Sequence, residues 1–280
     1  MNNNYLIMCF PFAYFSKTRV NSVSKKVAWG FTYFIPLFLL SFFYDIYSSL
    51  NSVIVLVSSI CIINYAYEDG YIYNDFITSK KEKKPTIRLS ADRILEISNL
   101  FVTFIIIRVA ITLIFFFFLY LSSDIYDFIL FVFIYIILQL TYFVYNNNRG
   151  IINLYLIIPL SFIRFYGSLM IFIPDHTMFL SIICLSFLYP ISKFIEFSAR
   201  KRFNISFFND KNLDINKFRI FYYMIIALTF AILTLFNIYY LPFLIVSAYY
   251  FIYRGLGVLA IKLNKNLART FKNNHRNHIN

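Results

Sequence analysis

The chain has 280 residues, 60% of them hydrophobic and 22% aromatic, with a mean hydropathy of +0.67. That composition excludes an ordinary soluble domain, because its repeated apolar runs of about twenty residues have the length needed to cross a bilayer. The net charge of +13 is then read as basic loops at one membrane face, and no nucleic-acid partner is expected.

The chain opens with "MNNNYLIMCFPFAYFSK". Its apolar run is too short to span and no basic stretch precedes it, so it reads as an interfacial lead-in rather than a cleaved signal. Eight spans follow, at roughly 27–44, 50–67, 97–121, 128–145, 151–173, 178–195, 220–238 and 241–261. At about 1.5 Å of rise per residue each reaches across a hydrocarbon core of roughly 30 Å, the shorter ones with local thinning. With the N-terminus in the cytoplasm, segments 1–26, 68–96, 146–150, 196–219 and 262–280 lie on that side. Together with Lys193 they hold all 26 Lys and Arg except Arg108, Arg164 and Arg254, which fall inside spans. This positive-inside pattern predicts a multi-pass protein of the cell's inner, cytoplasmic membrane with both termini cytoplasmic.

The two long loops follow the second and sixth spans. A single membrane domain, 1–280, therefore divides into four-helix halves at 27–145 and 151–261, parallel repeats about an axis along the membrane normal. The basic tail 262–280 lies on anionic lipid or is disordered. Repeat architecture places a site between the halves, here at the cytoplasmic end.

Polar residues mark both long loops. Asn64, Glu68, Tyr71, Asp75, Thr78 and Glu82 recur at spacings of three and four, one face of a helix, with Asn74 beside them. Tyr189, Lys193, Glu196, Arg200 and Asn204 repeat the pattern after the sixth span. Two readings stand open. One is a solvated face with intrahelical ion pairs. The other is a diphosphate site, where carboxylates hold Mg²⁺ through oxygen and Lys or Arg hold phosphate. The dispersed Cys9, Cys61 and Cys184 and the three histidines do not make a zinc or haem set. Phosphate-loop, dinucleotide and nucleophile-elbow motifs are absent. Arg164, near mid-span, needs protein or water to face, because a lone intramembrane Arg costs about 2.5 kcal/mol or more. Its partner is either a structural carbonyl or Tyr hydroxyl, or a substrate. Arg108 reads as a buried structural contact, with reach into the cavity as the alternative, and Arg254 as snorkelling to the interface.

"NDFITSKKE" resembles the first Asp-rich motif, NDxxDxxxD, of the UbiA superfamily of membrane prenyltransferases. Asn74 and Asp75 match, Thr78 replaces the middle Asp, and Glu82 replaces the last. "KKPTIR" is similar to the basic stretch that follows it, through Pro85 and Arg88. "INLYLIIPLSFIRFYG" resembles the branch that transfers phosphoribose to polyprenyl phosphate. Arg164 and Gly167 fit that pattern, and Asn153 replaces the acid eleven residues before the Arg. "SKFIEF" matches a Lys…Glu pattern through Lys193 and Glu196. The family's fuller second acidic motif is absent, and its usual nine spans exceed the eight counted here.

The resemblance implies an all-α polytopic bundle around a central cavity, a polyprenyl or phosphoribosyl diphosphate substrate, and Mg²⁺ bridging the diphosphate. It casts Asp75 and Glu82 as metal ligands and Asn74 as their catalytic helper. It casts Lys84, Arg88, Lys193 and Arg200 as phosphate contacts, and Asn153 and Arg164 as further substrate contacts. Glu68 and Glu196 add a ligand or orient the basic residues. The alternatives are a degenerate relative that binds lipid or a protein partner without chemistry, and a small-solute transporter. The transporter reading lacks a pair of Gly/Pro-broken spans.

Overall fold

Helices form wherever the chain is apolar, because a backbone in lipid must satisfy its own hydrogen bonds. The computed structural model describes residues 8–81, 88–89, 91–148, 150–200, 203, 205 and 214–263. Among them the chain is all-helical, without strands. The helices are α1 (Ala13–Thr18), α2 (Val23–Phe43), α3 (Leu50–Tyr73), α4 (Ala91–Asn99), α5 (Phe101–Ser122), α6 (Ile125–Asn147), α7 (Ile152–Tyr166), α8 (Asp175–Leu188), α9 (Pro190–Ser198), α10 (Ile215–Phe236) and α11 (Leu241–Leu263).

Among the described residues six helical stretches are long and apolar enough to cross a membrane: Val23–Phe43, Leu50–Thr78, Phe101–Ser122, Ile125–Asn147, Ile215–Phe236 and Ile238–Ala260. A seventh exists if α8 and α9, bent by 42° at Tyr189, count as one span. Pro190 opens α9, where its missing N–H costs the new helix nothing, and it cannot continue the ladder of α8. The expected span at 151–173 is represented by α7, whose 15 residues cover only about 22 Å at 1.5 Å each. The expected span at 97–121 is interrupted at Leu100, which separates the polar α4 from the apolar α5.

The chain divides into two compact units. The first comprises 1–149 and 162–178, and the second 150–161 and 179–280. The division falls inside α7.

In the first unit α3 is central and packs on α5 and α6. Two glycines set the close approaches. A Cβ on Gly70 would fall inside the ring of Tyr142 on α6, and Asn146 donates its Nδ2 hydrogen bond to the Gly70 carbonyl at 2.9 Å. Gly167, just past the end of α7, lies against Ile63. A Cβ there would approach the Ile163 carbonyl to 2.6 Å. Small residues of this kind let membrane helices meet backbone to backbone. On α5, Phe104, Arg108 and Leu119 are buried, whereas Val102, Ile106, Val109, Leu113 and Phe117 are exposed. That inverted pattern suits a helix whose outer face meets lipid.

The N-terminal segment departs from the expected interfacial lead-in. Met8, Cys9 and Tyr14 are buried in one apolar cluster with Ile72, Phe76, Leu89, Ile97 and Phe104. Phe12, in the left-handed region at φ 65°, turns the chain into α1.

In the second unit α10 and α11 form a hairpin through the turn Ile238–Tyr240. Tyr223 stacks on Tyr250 at 4.7 Å, and Phe230 packs on Phe243. The Tyr222 hydroxyl donates to the Phe187 carbonyl at 2.6 Å, next to the α8–α9 bend.

Gly70→Ala should lower the stability of the detergent-solubilised protein by about 1–3 kcal/mol through overpacking against Tyr142. Thermal unfolding reads this directly, and an unchanged midpoint would show that α3 and α6 do not meet there.

Candidate functional site: an arginine cluster on the long helix

Helix α3 runs without interruption into a π-helical turn, Asn74–Thr78, and a 3₁₀ turn, Ser79–Lys81. The polar stripe therefore stays on one rigid rod. π turns are uncommon and concentrate at functional sites. Asn64, Glu68, Tyr71 and Asp75 of the stripe each meet a tertiary partner. Asn64 Nδ2 donates to the Tyr33 hydroxyl at 2.9 Å. Glu68 is buried, and its Oε1 accepts the Phe15 backbone N–H at 2.7 Å. Its Oε2 lies 3.4 Å from Arg108 Nη1.

Arg108 is the buried cation of a triad with Glu68 and Asp69. Its Nε donates to Asp69 Oδ1 at 2.8 Å, and its Nη groups donate to the carbonyls of Tyr65 and Met8 at 3.1 and 3.3 Å. Its guanidinium stacks 3.8 Å from the Tyr65 ring. The shorter Asp69 contact is the stronger ion pair; Glu68 is held as much by Phe15.

Asp75 accepts from four donors. The Tyr14 hydroxyl reaches Oδ2 at 3.0 Å. Arg19 Nη2, Arg88 Nη1 and Asn74 Nδ2 reach Oδ1 at 3.0, 3.2 and 3.3 Å. Burial, and then the Asp75 charge, push the Tyr14 phenol well above its ordinary range, so it remains a donor. Desolvation, and then the neighbouring Arg19 charge, lower Arg88 from its ordinary value. Two cations crowd one carboxylate.

A third arginine completes the cluster. Arg164 is 8% exposed. Its Nη1 donates to the Tyr71 hydroxyl at 2.9 Å, and its guanidinium lies over the rings of Tyr67 at 4.2 Å and Phe15 at 4.5 Å. Arg19 stacks on the same Tyr71 at 4.4 Å. Each cation–π contact contributes about 0.5–2 kcal/mol, enough together to offset much of the ~2.5–3.5 kcal/mol cost of an intramembrane Arg. The charge itself stays uncancelled. Among the described residues no carboxylate lies within ion-pair reach of Arg164, and its Nε has no hydrogen-bond partner. Arg19 Nη1 is likewise buried without one. Arg19, Arg88 and Arg164 against Asp75 leave the cluster net positive.

The second unit holds a similar grouping. Glu196 takes a two-pronged ion pair from Arg219, at 2.5 and 2.7 Å, and a third contact from Lys193 at 3.3 Å. Arg200 stacks on Phe197 at 3.8 Å. Asn153 is buried in this unit.

Of the expected site residues, the first unit therefore assembles Asn74, Asp75, Arg88 and Arg164, with Glu68 about two turns from Asp75. The second unit assembles Lys193 and Glu196. Thr78 is buried on the stripe, its hydroxyl without a hydrogen-bond partner among the described residues. Glu82 and Lys84 lie outside the described residues. Tyr14, Arg19 and Arg219 are additions, and their only sequence signal is position: basic or hydroxylic residues flanking spans on the basic side. For Mg²⁺ the test is Asp75, whose oxygens already accept two guanidinium N–H groups, a phenol and an amide. Among the described residues no three His, Cys, Asp or Glu group to hold a metal. Glu82, the other expected ligand, lies outside the described residues; among the described side chains Asp75 is met by arginines.

No family model matches the chain, and neither a curated protein nor a solved structure matches it.

Arg108→Met would strand the buried Glu68 carboxylate and leave the half-buried Asp69 without its cation, an expected loss of about 3–5 kcal/mol. The unfolding midpoint should fall and trypsin should cut faster after Lys17 and Arg19, since Glu68 and Arg108 tether residues 8–15. Unaltered proteolysis would mean the tether lies elsewhere.

Proposed function

We propose that the chain is an integral membrane transferase resembling UbiA-type prenyltransferases, which binds a prenyl or phosphoribosyl diphosphate at the arginine cluster beside Asp75. The observation that carries this reading is Arg164, a buried guanidinium without a carboxylate among the described residues, in a cluster with Arg19 and Arg88 that is aromatic-walled and, among those residues, net positive. A phosphate or diphosphate is the ligand whose charge and oxygens suit several guanidiniums at once. The reading places this site at the cytoplasmic membrane face, where a lipid's head meets water and its chain stays in the bilayer.

In transfer, a departing diphosphate gathers negative charge. Arg19, Arg88 and Arg164 would stabilise that charge as fixed donors already in place. Tyr71 positions two of them, Arg164 through its hydroxyl and Arg19 through its ring. Asp75 bridges Arg19 and Arg88 through one oxygen and limits their mutual repulsion. Tyr14 fixes the carboxylate in turn.

A second reading has its own support: a relative that binds the lipid head without transferring it. Thr78 stands where the family pattern has an Asp, and Asp75 is engaged by arginines.

The deciding experiment measures farnesyl diphosphate binding to the solubilised protein, with and without Mg²⁺, in wild type, Arg164→Gln and Asp75→Asn. Arg164→Gln should weaken binding roughly tenfold or more, the worth of a charge-assisted hydrogen bond. Asp75→Asn should preserve or tighten it, because a competing anion is gone. Binding indifferent to Arg164 would remove the anion site altogether. Binding that needs both Mg²⁺ and Asp75 would replace it with a metal-held diphosphate. If binding behaves as expected, release of diphosphate on adding acceptors separates the transferase from the non-transferring relative.

A further inference from the structure

A second site lies on the other side of α3. A cleft of about 580 Å³ opens between α3, α5 and α6, within the roughly 300–1,000 Å³ range of ligand pockets. Its lower wall is apolar, with Val109, Leu113 and Phe116 of α5. Val109 and Leu113 are 54% and 62% exposed, so the mouth faces the surface that lipid covers. Polar side chains line the rest of it, among them Asp69, Arg108, Thr112, Tyr135, Gln139 and Asn146. Arg108 lies seven residues into α5, and Gln139 eight residues before the end of α6. At about 1.5 Å per residue the polar patch is roughly 10–12 Å from the helix ends.

Carboxyl groups outnumber cations in the patch. Arg108 faces two carboxylates, Glu68 and Asp69, which leaves one excess negative charge. The side chains of Arg108 and Glu68 are each only 2% exposed, and that of Asp69 is 35% exposed. Asp69 therefore presents the excess charge to the cleft. Its Oδ1 is engaged by Arg108, which leaves Oδ2 as an acceptor. Gln139 donates its Nε2 hydrogen to the Tyr135 oxygen at 3.2 Å, which leaves the Gln139 carbonyl as a further acceptor. An exposed carboxylate at this depth is costly in lipid unless a donor meets it.

We infer that this cleft is a lateral binding site for a single-chain amphiphile whose head donates hydrogen bonds, a hydroxyl or a protonated amine, with its chain along Val109, Leu113 and Phe116. Phosphate and carboxylate heads are repelled by Asp69. The residues concerned are not those of the arginine cluster, so the inference stands apart from the prenyl-diphosphate reading.

The test uses the full chain in nanodiscs of zwitterionic lipid, with photoreactive analogues of hexadecanol, hexadecylamine and hexadecanoic acid, and peptide mapping of the labelled sites. Saturable labelling of α5 and α6 by the alcohol or the amine, about tenfold above the acid, is expected from one charge-assisted hydrogen bond. Alcohol over amine identifies a neutral head, and amine over alcohol a cationic one. Val109→Trp, on the exposed face, should fill the cleft and abolish this labelling without disturbing the Arg108 triad. Asp69→Asn should remove any preference for the amine. Labelling that is unsaturable, equal for the acid, or unchanged in Val109→Trp would overturn the site.

Discussion

Everything in the first unit depends on one constraint: a polar face on an apolar helix must be answered by the protein, because lipid offers it nothing. Helix α3 carries Asn64, Glu68, Asp69, Tyr71 and Asp75 through the body of the unit. Each is met from outside the helix, by Tyr33, Phe15, Arg108, Arg164 or Arg19. The N-terminal segment is drawn in by the same requirement. Its backbone N–H at Phe15 and its side chains at Tyr14 and Arg19 supply the donors that Glu68 and Asp75 lack. An apolar run too short to span thus becomes a structural cover on the polar face.

The charges sort themselves around α3 in opposite senses. On one side the guanidiniums of Arg19, Arg88 and Arg164 outnumber Asp75. On the other, Glu68 and Asp69 outnumber Arg108. Neither excess is neutralised within the described residues. An unbalanced charge in a low-dielectric setting is expensive, and that cost is the common ground of the two proposals. Glu196 in the second unit differs. Arg219 grips both its oxygens, the geometry of a pair that holds helices together.

Much of the candidate site was legible in the sequence, and the limits have physical causes. The spacing of Glu68, Tyr71, Asp75 and Thr78 marks a helical face, and α3 with its π turn carries it. Arg164 stands out from sequence because an intramembrane guanidinium is costly, and its Tyr71 hydroxyl partner is of the expected kind. Arg108 is buried, as its place in a span implies. Tyr14 and Arg19 were not legible as site residues. They lie more than fifty positions from Asp75, and periodicity says nothing about contacts at that range. The role given to Asp75 also turns on contacts. A carboxylate reads as a metal ligand or as an arginine partner according to its neighbours, and spacing along one helix does not reveal them.

By itself the sequence determined the chemistry of the elements. Apolar runs of about twenty residues become helices because the bilayer admits little else, and the basic segments fall between them. Only the tertiary structure decided how many of those runs are long, straight helices, since the bend at Pro190 and the end of α7 beside Gly167 arise from close packing and local geometry. It alone decided which cations meet which carboxylates. Ion pairs are chosen by proximity in three dimensions, and here that proximity comes from the Gly70 and Gly167 approaches and from the N-terminal segment laid across α3.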